Sequence, residues 1–469
     1  MAEPGRRGGR RGSRRPAPRK ATGRPGDPAR LAALQVLQAV RVDDAYANLA
    51  LPAALRDHGL QGRDAAFATE LVSGTLRRRG TYDAVLAACI DRPLAKVEAK
   101  VLDALRLGTH QLLGMRVPSH AALNTTVDLV RSRVGPGAAS FANAVLRRVS
   151  EHDLDTWIGR VAPDPDADPT GHAVVAYSHP AWVVDALREA VGADELPALL
   201  AADNEPPRVT LVARPGWARR DELPGEPTPY SPYGVVLDGG DPGAVPAVAE
   251  GRAGVQDEGS QLVAAALAAA PLTGSDATWL DLCAGPGGKA ALLAAIAAER
   301  GATLLANERQ PHRARLVARA TSGGPGVLGV VTGDGTAPPY RPASFDRILV
   351  DAPCTGLGAL RRRPESRWRR RPEDLAELVV LQQQLVGSAL SLVRPGGVVL
   401  YATCSPVLAE TAGVVRAVLD ARSDVRLEDA GALLPQVPDC AGPLPGTLQL
   451  WPHRHATDAM FLALLRRDG

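Results

Sequence analysis

Residues 281–290 read DLCAGPGGKA, and this stretch decides the fold of the C-terminal half of the chain. It follows the apolar run TWLDL at 278–282 and precedes an alanine- and leucine-rich segment, a pattern that predicts a turn from a buried strand into a helix. Its glycines let the backbone approach a ligand closely, and the helix start offers unpaired N–H groups with a partial positive charge. The stretch has neither the GxGxxG spacing of dinucleotide sites nor the GK[ST] ending of phosphate loops, so alone it indicates only a ligand-binding turn.

Further strand-like runs follow this turn and alternate with helical segments. They are TLLAN at 303–307, VLGVVT at 327–332, FDRILVD at 345–351, GVVLYAT at 397–403 and MFLALL at 460–465. This alternation predicts a mainly parallel, doubly wound α/β sheet of the Rossmann-like type over residues 251–469. Such a sheet binds ligands at the carboxyl ends of its strands, so residues placed there are the first candidates for function.

Acidic residues occur at two of these strand ends. Glu308 follows the second strand, where a carboxylate can accept hydrogen bonds from both ribose hydroxyls of an adenosine ligand. Asp334 follows the third strand, where it suits the exocyclic amine of adenine. Each acid taken singly could be a surface charge or a helix cap. Together with the glycine-rich turn they predict a nucleoside pocket.

Thiols occur at the ends of the fourth and fifth strands, in DAPC (351–354) and TCS (403–405). A single cysteine beside a sheet is usually inert core, but Cys354 and Cys404 at adjacent strand ends, one of them close to Asp351, favour a reactive pair. A thiolate can add to C6 of a pyrimidine and push electron density onto C5, which is otherwise a poor nucleophile. The pair therefore predicts covalent catalysis on a pyrimidine base.

The N-terminal half has a different pattern. Helical periodicity over residues 28–160 predicts an all-α bundle, and the segment APDPDADPTG at 162–171 cannot continue a helix and predicts a linker. Residues 174–250 combine one helical segment with a short strand-like run, so we expect a small α+β connector domain there. Residues 1–27 are rich in arginine, glycine and proline and predict a disordered basic tail, either a phosphate-binding arm or a solubilising segment.

The motifs together resemble the RsmB/Sun family of RNA cytosine-C5 methyltransferases. The matching segments are VQDEGSQL at 255–262, DLCAGPGGK, the GDG at 333–335, DAPCTGLGALRRRPE at 351–365, YATCS at 401–405 and TDAMFLALL at 457–465. In the N-terminal half, the segments at 63–83, 122–131 and 141–149 resemble a NusB-like RNA-binding domain. The resemblance implies the RsmB-like branch, with a NusB-like domain joined to a class I methyltransferase domain.

The resemblance also implies residue roles. It makes Cys404 the nucleophile and Cys354 the group that helps release the product, while Asp351 contacts the base edge and Lys289 reaches the target cytosine. The implied cofactor is S-adenosyl-L-methionine (SAM), and the implied partner is RNA, with 16S rRNA inferred from the RsmB-like architecture. The residues expected to bind SAM are Cys283, Ala284, Gly285, Pro286, Gly287, Gly288, Lys289, Glu308, Asp334 and Asp351.

Three departures from the family pattern are visible. The loop reads CAGPGGK where CAAPGGK is common, the ribose acid is Glu308 instead of aspartate, and DAPCT replaces DAPCS. Each is conservative, and the implied chemistry is retained.

Charge and composition set further expectations. The net charge is only +3, and five scattered cysteines lack the spacing of a structural metal site, so we expect free thiols and no metal. No apolar run suggests a membrane span, which favours a cytoplasmic protein, and we expect a monomer. A second basic segment, residues 361–371, follows the PC motif and includes Trp368; we expect it to flank the cleft and bind RNA through phosphate contacts and stacking.

Alternative functions remain open at this point. A non-catalytic NusB-like RNA-binding or assembly factor would have lost Cys404 or the cofactor loop, and neither is lost. DNA cytosine methyltransferases place the nucleophile in a PCQ motif, whereas Cys354 is followed by Thr355. Another RNA, such as tRNA, stays possible as the substrate.

Overall fold

The computed structural model describes residues 27–469. The predicted basic tail, residues 1–27, therefore lies outside the described residues except for Asp27, whose carboxylate accepts a hydrogen bond from the Arg30 backbone N–H and caps the first helix. The N-terminal part is helical throughout, as predicted. Its helices are α1 Pro28–Val42, α2 Ala47–Asp57, α3 Gly62–Arg77, α4 Arg79–Cys89, α5 Ala99–Leu113, α6 Ser119–Arg133, α7 Pro136–Val149 and α8 Leu154–Val161.

The middle of the chain mixes short helices with a small antiparallel sheet. Its helices are α9 Pro169–Ala176, α10 Ala181–Val191, α11 Leu196–Ala202 and α12 Pro246–Ala249, and its strands are β1 Thr210–Ala213, β2 Glu226–Pro227, β3 Gly234–Val236 and β4 Ala253–Val255. The sheet order is β2-β3-β1-β4, with antiparallel pairing throughout. This agrees with the predicted α+β character.

The C-terminal part forms the large sheet. Its helices are α13 Glu258–Ala269, α14 Gly288–Glu299, α15 Pro311–Thr321, α16 Ser366–Arg369, α17 Pro372–Leu392, α18 Ala412–Ala421 and α19 Pro452–His455. Its strands are β5 Thr278–Asp281, β6 Thr303–Glu308, β7 Val327–Thr332, β8 Phe345–Asp351, β9 Val393–Thr403, β10 Val425–Glu428, β11 Leu448–Gln449 and β12 Phe461–Arg467.

The order of strands in this sheet is β10-β12-β9-β8-β5-β6-β7, with β11 paired to β12. The strands from β9 to β7 run parallel to one another, whereas β12 and β10 pair antiparallel at one side. This is the mixed, mainly parallel sheet of a Rossmann-like domain, as predicted.

Helices cover both faces of the sheet, which explains why its central strands are apolar along their whole length. On β9, Leu400 and Ala402 pack toward the core under α13 and α14, while Val399 and Tyr401 pack toward the core under α17 and α18. Successive side chains of a strand point to opposite faces, so one apolar run fills two cores.

Helix α17 is the one helix in the described part of the chain that is long and apolar enough to span a membrane by length and composition. The sequence expectation of no such segment is wrong in that sense. The helix lies against β8 and β9, where Leu385, Val386 and Leu390 are buried, so its apolar face is used by the sheet.

Candidate active site

The carboxyl ends of the parallel strands collect the predicted functional residues at one edge of the sheet. Because β9, β8, β5, β6 and β7 are neighbours in that order, the segment with Cys404 lies beside Asp351, and Glu308 lies beside the residues that precede Asp334. Residues far apart in the chain therefore meet in a single row. The glycine-rich turn leaves the middle strand of this row.

The two thiols are in direct contact. The Sγ atoms of Cys354 and Cys404 lie 3.5 Å apart, within hydrogen-bonding distance for sulfur. The hydrogen bond from Cys354 lowers the pKa of Cys404, against the effect of burial and with help from the positive charges of Arg363 and Lys289. The same hydrogen bond, together with burial, raises the pKa of Cys354 well above its ordinary value. Of the two thiols, Cys404 is therefore the one that ionises more readily.

Lys289 links the start of α14 to the end of β8. Its Nζ atom donates to Asp351 Oδ2 at 2.9 Å and to Ser260 Oγ at 3.3 Å. Burial by itself would lower the pKa of Lys289, but the charge and hydrogen bond of Asp351 raise it overall. The ammonium is therefore held charged beside the thiols, where it favours the anionic form of Cys404.

Asp281, at the end of β5, is a functional candidate that the sequence interpretation did not single out. It is fully buried, and its Oδ1 atom accepts the Cys283 backbone N–H at 3.3 Å, while its Oδ2 atom has no partner in the part of the chain that the structure describes. Burial, with the nearby charge of Asp351, raises the pKa of Asp281 to about 8. A buried carboxyl with a free oxygen needs either a proton or a ligand. Asp281 is the last residue of β5, directly before the glycine-rich turn, and this position in the sequence is the signal that could have identified it.

The glycine-rich turn has two kinds of glycine. Gly287 precedes α14 with φ near 114°, and a Cβ there would lie 2.7 Å from the Cβ of Ala320 on α15, so this position serves helix packing. Gly288 has no such constraint, since its nearest neighbour is the side chain of Gln256 at 3.7 Å. Ala284 is buried and Pro286 is exposed. Packing therefore explains the glycine at residue 287, whereas close approach of a ligand can explain the glycine at residue 288.

Cys283 lies in the same loop but has a different character from the paired thiols. It packs against the core under α17, and burial, reinforced by the surrounding carboxylates of Asp281 and Asp351, raises its pKa well above the ordinary value. Cys283 is therefore a neutral thiol in the loop and does not compete with Cys404 as a nucleophile.

The two acids predicted for the nucleoside differ in environment. The Glu308 side chain is 5% exposed and is held by backbone N–H groups on both carboxylate oxygens. The Asp334 side chain is 43% exposed, and its Oδ1 atom accepts hydrogen bonds from the backbone and hydroxyl of Thr336, which lower its pKa. The Glu308 carboxylate is thus fixed in place, whereas the Asp334 carboxylate is more exposed and is held by its own loop.

Glu410 is a second residue that the sequence interpretation missed. It is fully buried, and it accepts hydrogen bonds from the Thr355 backbone N–H at 2.8 Å, from the Thr355 hydroxyl at 2.5 Å and from Gln382 Nε2 at 3.0 Å. The Thr355 hydroxyl also contacts that of Ser405 at 3.0 Å. These contacts join the residue after each active-site cysteine, so they fix one thiol relative to the other.

Gln256 is a third residue that the sequence interpretation missed. It is 8% exposed, and neither the oxygen nor the nitrogen of its side-chain amide has a partner among the described residues. It faces the loop at Gly288. The motif VQDEGSQL contains this residue, and its position before the glycine-rich turn was the available signal.

The arginine segment after the PC motif has a role different from the one predicted. Arg367 is fully buried and donates to the carbonyls of Arg77, Ser178 and Asp203 and to the side chain of Asn204. These acceptors belong to α3 and to the connector, so this guanidinium joins three parts of the chain.

Other members of the segment make similar contacts. Trp368 donates its indole N–H to the Leu76 carbonyl at 3.1 Å, and Arg369 pairs with Asp44 and lies over the ring of Tyr46 at 4.1 Å. The expectation that this segment binds RNA is wrong for Arg367, which is fully buried, and Trp368 and Arg369 are half-buried side chains that contact the helical domain. Further along, Arg370 donates to the carbonyl of Cys354 at 3.2 Å, so the same segment also braces the PC loop.

Among residues 27–469, no group of three or more His, Cys, Asp or Glu side chains is arranged to hold a metal ion.

Comparison with family models assigns both halves of the chain. Residues 27–151 match the NusB family, and residues 269–466 match 16S rRNA methyltransferase RsmB/F.

Relatives and solved structures agree with these matches. A protein of Mycobacterium tuberculosis strain H37Rv, named only as a methyltransferase, is 52% identical over 458 residues, covering 96% of this chain and 99% of that protein. Ribosomal RNA small subunit methyltransferase B of Pseudomonas putida is 33% identical, covering 83% of this chain and 88% of the relative.

The crystal structure of PH0851 matches 95% of this chain and all of its own with a TM-score of 0.77 at 23% identity. The structure of NSun6 from Pyrococcus horikoshii with SFG matches 62% of this chain and 98% of its own with a TM-score of 0.52 at 18% identity. These two likenesses show the shared fold. Together with the relatives matched over most of their length, they lead to one assignment: the chain belongs to the RsmB/F family of 16S rRNA methyltransferases, with a NusB domain at its N-terminal end.

Proposed function

We propose that the protein transfers a methyl group from SAM to C5 of a cytosine in RNA, with 16S rRNA as the substrate. The observation that carries this proposal is the 3.5 Å contact between Cys354 and Cys404, in which the hydrogen bond lowers the pKa of one thiol and raises that of the other. A methyl-accepting atom that is already nucleophilic does not need a pair of thiols beside it. A base that must be activated at C6 and later released needs both a nucleophile and a proton-transfer group.

The residues at the strand ends fit SAM. Glu308 presents a fixed carboxylate for the ribose, Asp334 lies at the rim for the adenine amine, and the start of α14 provides the N–H groups of an uncapped helix. The Gln256 amide, which faces the loop at Gly288, and Asp281 Oδ2 at the end of β5 are buried without a partner among residues 27–469, as expected for a pocket that a polar ligand completes. When bound, SAM supplies an electrophilic methyl group on a sulfonium.

In the first step, the Cys404 thiolate bonds to C6 of the cytosine and the C5–C6 π electrons move to C5. Asp351 at the base edge shares a proton at N3, which makes C6 more electrophilic, and Lys289 holds Asp351 in place. C5 would then take the methyl group that bound SAM supplies, and S-adenosylhomocysteine would remain as the leaving group. The base must leave its stack to reach this cleft, so we expect a single-stranded or loop target.

Release requires the C5 proton to leave. Once Cys404 is a thioether, the thiolate that raised the pKa of Cys354 is gone, so Cys354 loses its own proton to solvent more readily. As a thiolate it takes the proton from C5, the C5–H electrons re-form the double bond, and Cys404 departs as a thiolate. This accounts for two cysteines where DNA enzymes use one. The proposal places the protein in the cytoplasm, acting as a monomer without a metal.

The test uses the full chain, methyl-labelled SAM and 16S rRNA, followed by bisulfite sequencing. We expect one methylated cytosine with wild type, none with Cys404→Ala, and a covalent protein–RNA band with Cys354→Ala. Cys440→Ala is the matched control, since Cys440 is buried outside the site and should leave turnover unchanged.

Bisulfite sequencing of rRNA and tRNA from a deletion strain identifies the natural substrate. Loss of one cytosine signal in 16S rRNA supports the proposal. Loss in tRNA alone would replace the substrate, and unchanged methylation with an active Cys404→Ala variant would exclude the mechanism.

A further inference from the structure

The Glu308 carboxylate is held in one place by the loop it faces. Its Oε1 atom accepts the Gln310 backbone N–H at 2.9 Å, and its Oε2 atom accepts the Gly285 backbone N–H at 3.0 Å. Arg313 supports the same arrangement, since its Nη2 atom donates to the Gly285 carbonyl at 2.6 Å and its Nε atom lies 3.6 Å from Oε2. Two charge-assisted hydrogen bonds on a nearly buried carboxylate leave it little freedom to move.

Gly285 leaves no room for a side chain. A Cβ at this position would lie 2.1 Å from Glu308 Oε2 and 2.9 Å from Arg313 Nε. Ordinary contact begins near 3.4 Å, so an added methyl would be about 1.3 Å too close to the carboxylate oxygen. The Arg313 side chain is 41% exposed and can move aside, whereas Glu308 can do so only by giving up its bond to the loop.

Backbone conformation does not explain the glycine. Gly285 is not among the glycines with positive φ, in contrast to Gly287 two residues later. An alanine could therefore adopt the backbone angles of residue 285. What excludes it is the space occupied by Glu308.

We infer that Gly285 and Glu308 are a matched pair, in which the missing side chain at residue 285 sets the position of the carboxylate that reads the ribose of SAM. Gly285 is thus a positioning residue that acts through Glu308. This inference rests on the proposed function, because it takes the ligand at Glu308 to be an adenosine ribose.

The pair has a predictable complement. Aspartate at residue 308 is shorter by one carbon–carbon bond, about 1.5 Å, which is close to the clearance that a methyl on residue 285 lacks. Gly285→Ala should therefore weaken ligand binding when residue 308 is glutamate and have little effect on it when residue 308 is aspartate.

The experiment is a double-mutant cycle on the full-length protein, with the dissociation constant of S-adenosylhomocysteine measured by calorimetry for wild type, Gly285→Ala, Glu308→Asp and the double variant. We expect Gly285→Ala to weaken binding at least about tenfold in the wild-type background, the value of a lost hydrogen bond to a charged group. In the Glu308→Asp background the same change should alter binding by less than about threefold. Additive effects of the two substitutions, or wild-type affinity in Gly285→Ala, would overturn the inference.

A second measurement separates positioning from general damage to the loop. Wild type should bind S-adenosylhomocysteine more tightly than its 2′-deoxyribose analogue, and Gly285→Ala should lose most of that discrimination because the carboxylate no longer faces the hydroxyl. Unchanged discrimination in Gly285→Ala contradicts the inference. Gly329→Ala is the matched control, since a Cβ there meets only Leu305 at an ordinary 3.8 Å.

Failure of the proposed function gives a different result. If wild type bound neither SAM nor S-adenosylhomocysteine, the cofactor assignment itself would be wrong. If wild type bound both and the cycle were additive, only the pairing of Gly285 with Glu308 would be wrong.

Discussion

Replacing Cys354 by alanine should make Cys404 a slower nucleophile before any RNA is present. The Sγ atoms lie 3.5 Å apart, and the hydrogen bond from Cys354 is the largest cause of the lowered pKa of Cys404. Alanine removes this donor and leaves burial, which opposes ionisation. A hydrogen bond to a charged group contributes about 1.5–3 kcal/mol, so the thiolate fraction of Cys404 near pH 7 should fall at least about tenfold.

The assay is alkylation by iodoacetamide at pH 7, quantified at Cys404 by peptide mass spectrometry. Cys89 is the internal reference, because it lies in the helical domain and burial raises its pKa to about 11. We expect the Cys404 rate in Cys354→Ala to be about tenfold below that of wild type.

Cys354→Ser is the decisive control, because a hydroxyl of similar size can still donate to the Cys404 thiolate. It should keep most of the wild-type alkylation rate. Equal rates for the alanine and serine variants would show that the thiol pair does not activate Cys404, and an increased rate in both would show that Cys354 merely shields it.

Three further substitutions test residues that the fold places around the site. Glu410→Gln places an amide N–H donor where the N–H and hydroxyl of Thr355 now donate to a carboxylate. In methyl-transfer assays, kcat should therefore fall at least about tenfold, while the affinity for S-adenosylhomocysteine stays unchanged. An unchanged kcat contradicts this prediction. Arg367→Met removes four buried hydrogen bonds and should lower the free energy of unfolding in urea by about 3 kcal/mol, whereas Arg63→Met on an exposed part of α3 should leave it within about 0.5 kcal/mol. Asp281→Asn cannot ionise. Since burial raises the pKa of Asp281 to about 8, wild type is stabilised by the protonated carboxyl below pH 4 and loses this contribution as the pH rises toward 8, so the variant should gain stability relative to wild type across that interval. Urea unfolding at pH 5 and pH 8 measures the difference, and a pH-independent difference would refute the raised pKa.

The order of motifs along the chain was enough to predict the Rossmann-like sheet and the residues at its strand ends. The reason is that strand, turn and helix are local patterns, and parallel strands always bring their carboxyl ends to one edge. Cys404, Asp351 and Glu308 could therefore be assigned to one edge of the sheet from their positions at the ends of three strands.

The tertiary structure decided which charged side chains face solvent and which form hydrogen bonds between domains. The arginine segment predicted an RNA-binding surface, yet the Arg367 guanidinium bonds to a carbonyl 290 residues earlier, at Arg77, and is fully buried. A guanidinium on a solvated helix and one between domains have the same local sequence. Only the packing of the helical domain against the sheet determines where its five donors go.

The sequence by itself determined the fold class and the chemical groups at the site, because both depend on short-range patterns and on residue type. The tertiary structure alone decided the 3.5 Å contact of the thiols, the free oxygen of Asp281, the role of Glu410 and the missing space at Gly285. Each of these depends on differences of a few tenths of an ångström in the distances between residues brought together from separate elements. Such distances are set by the close packing of the interior, which no local pattern records.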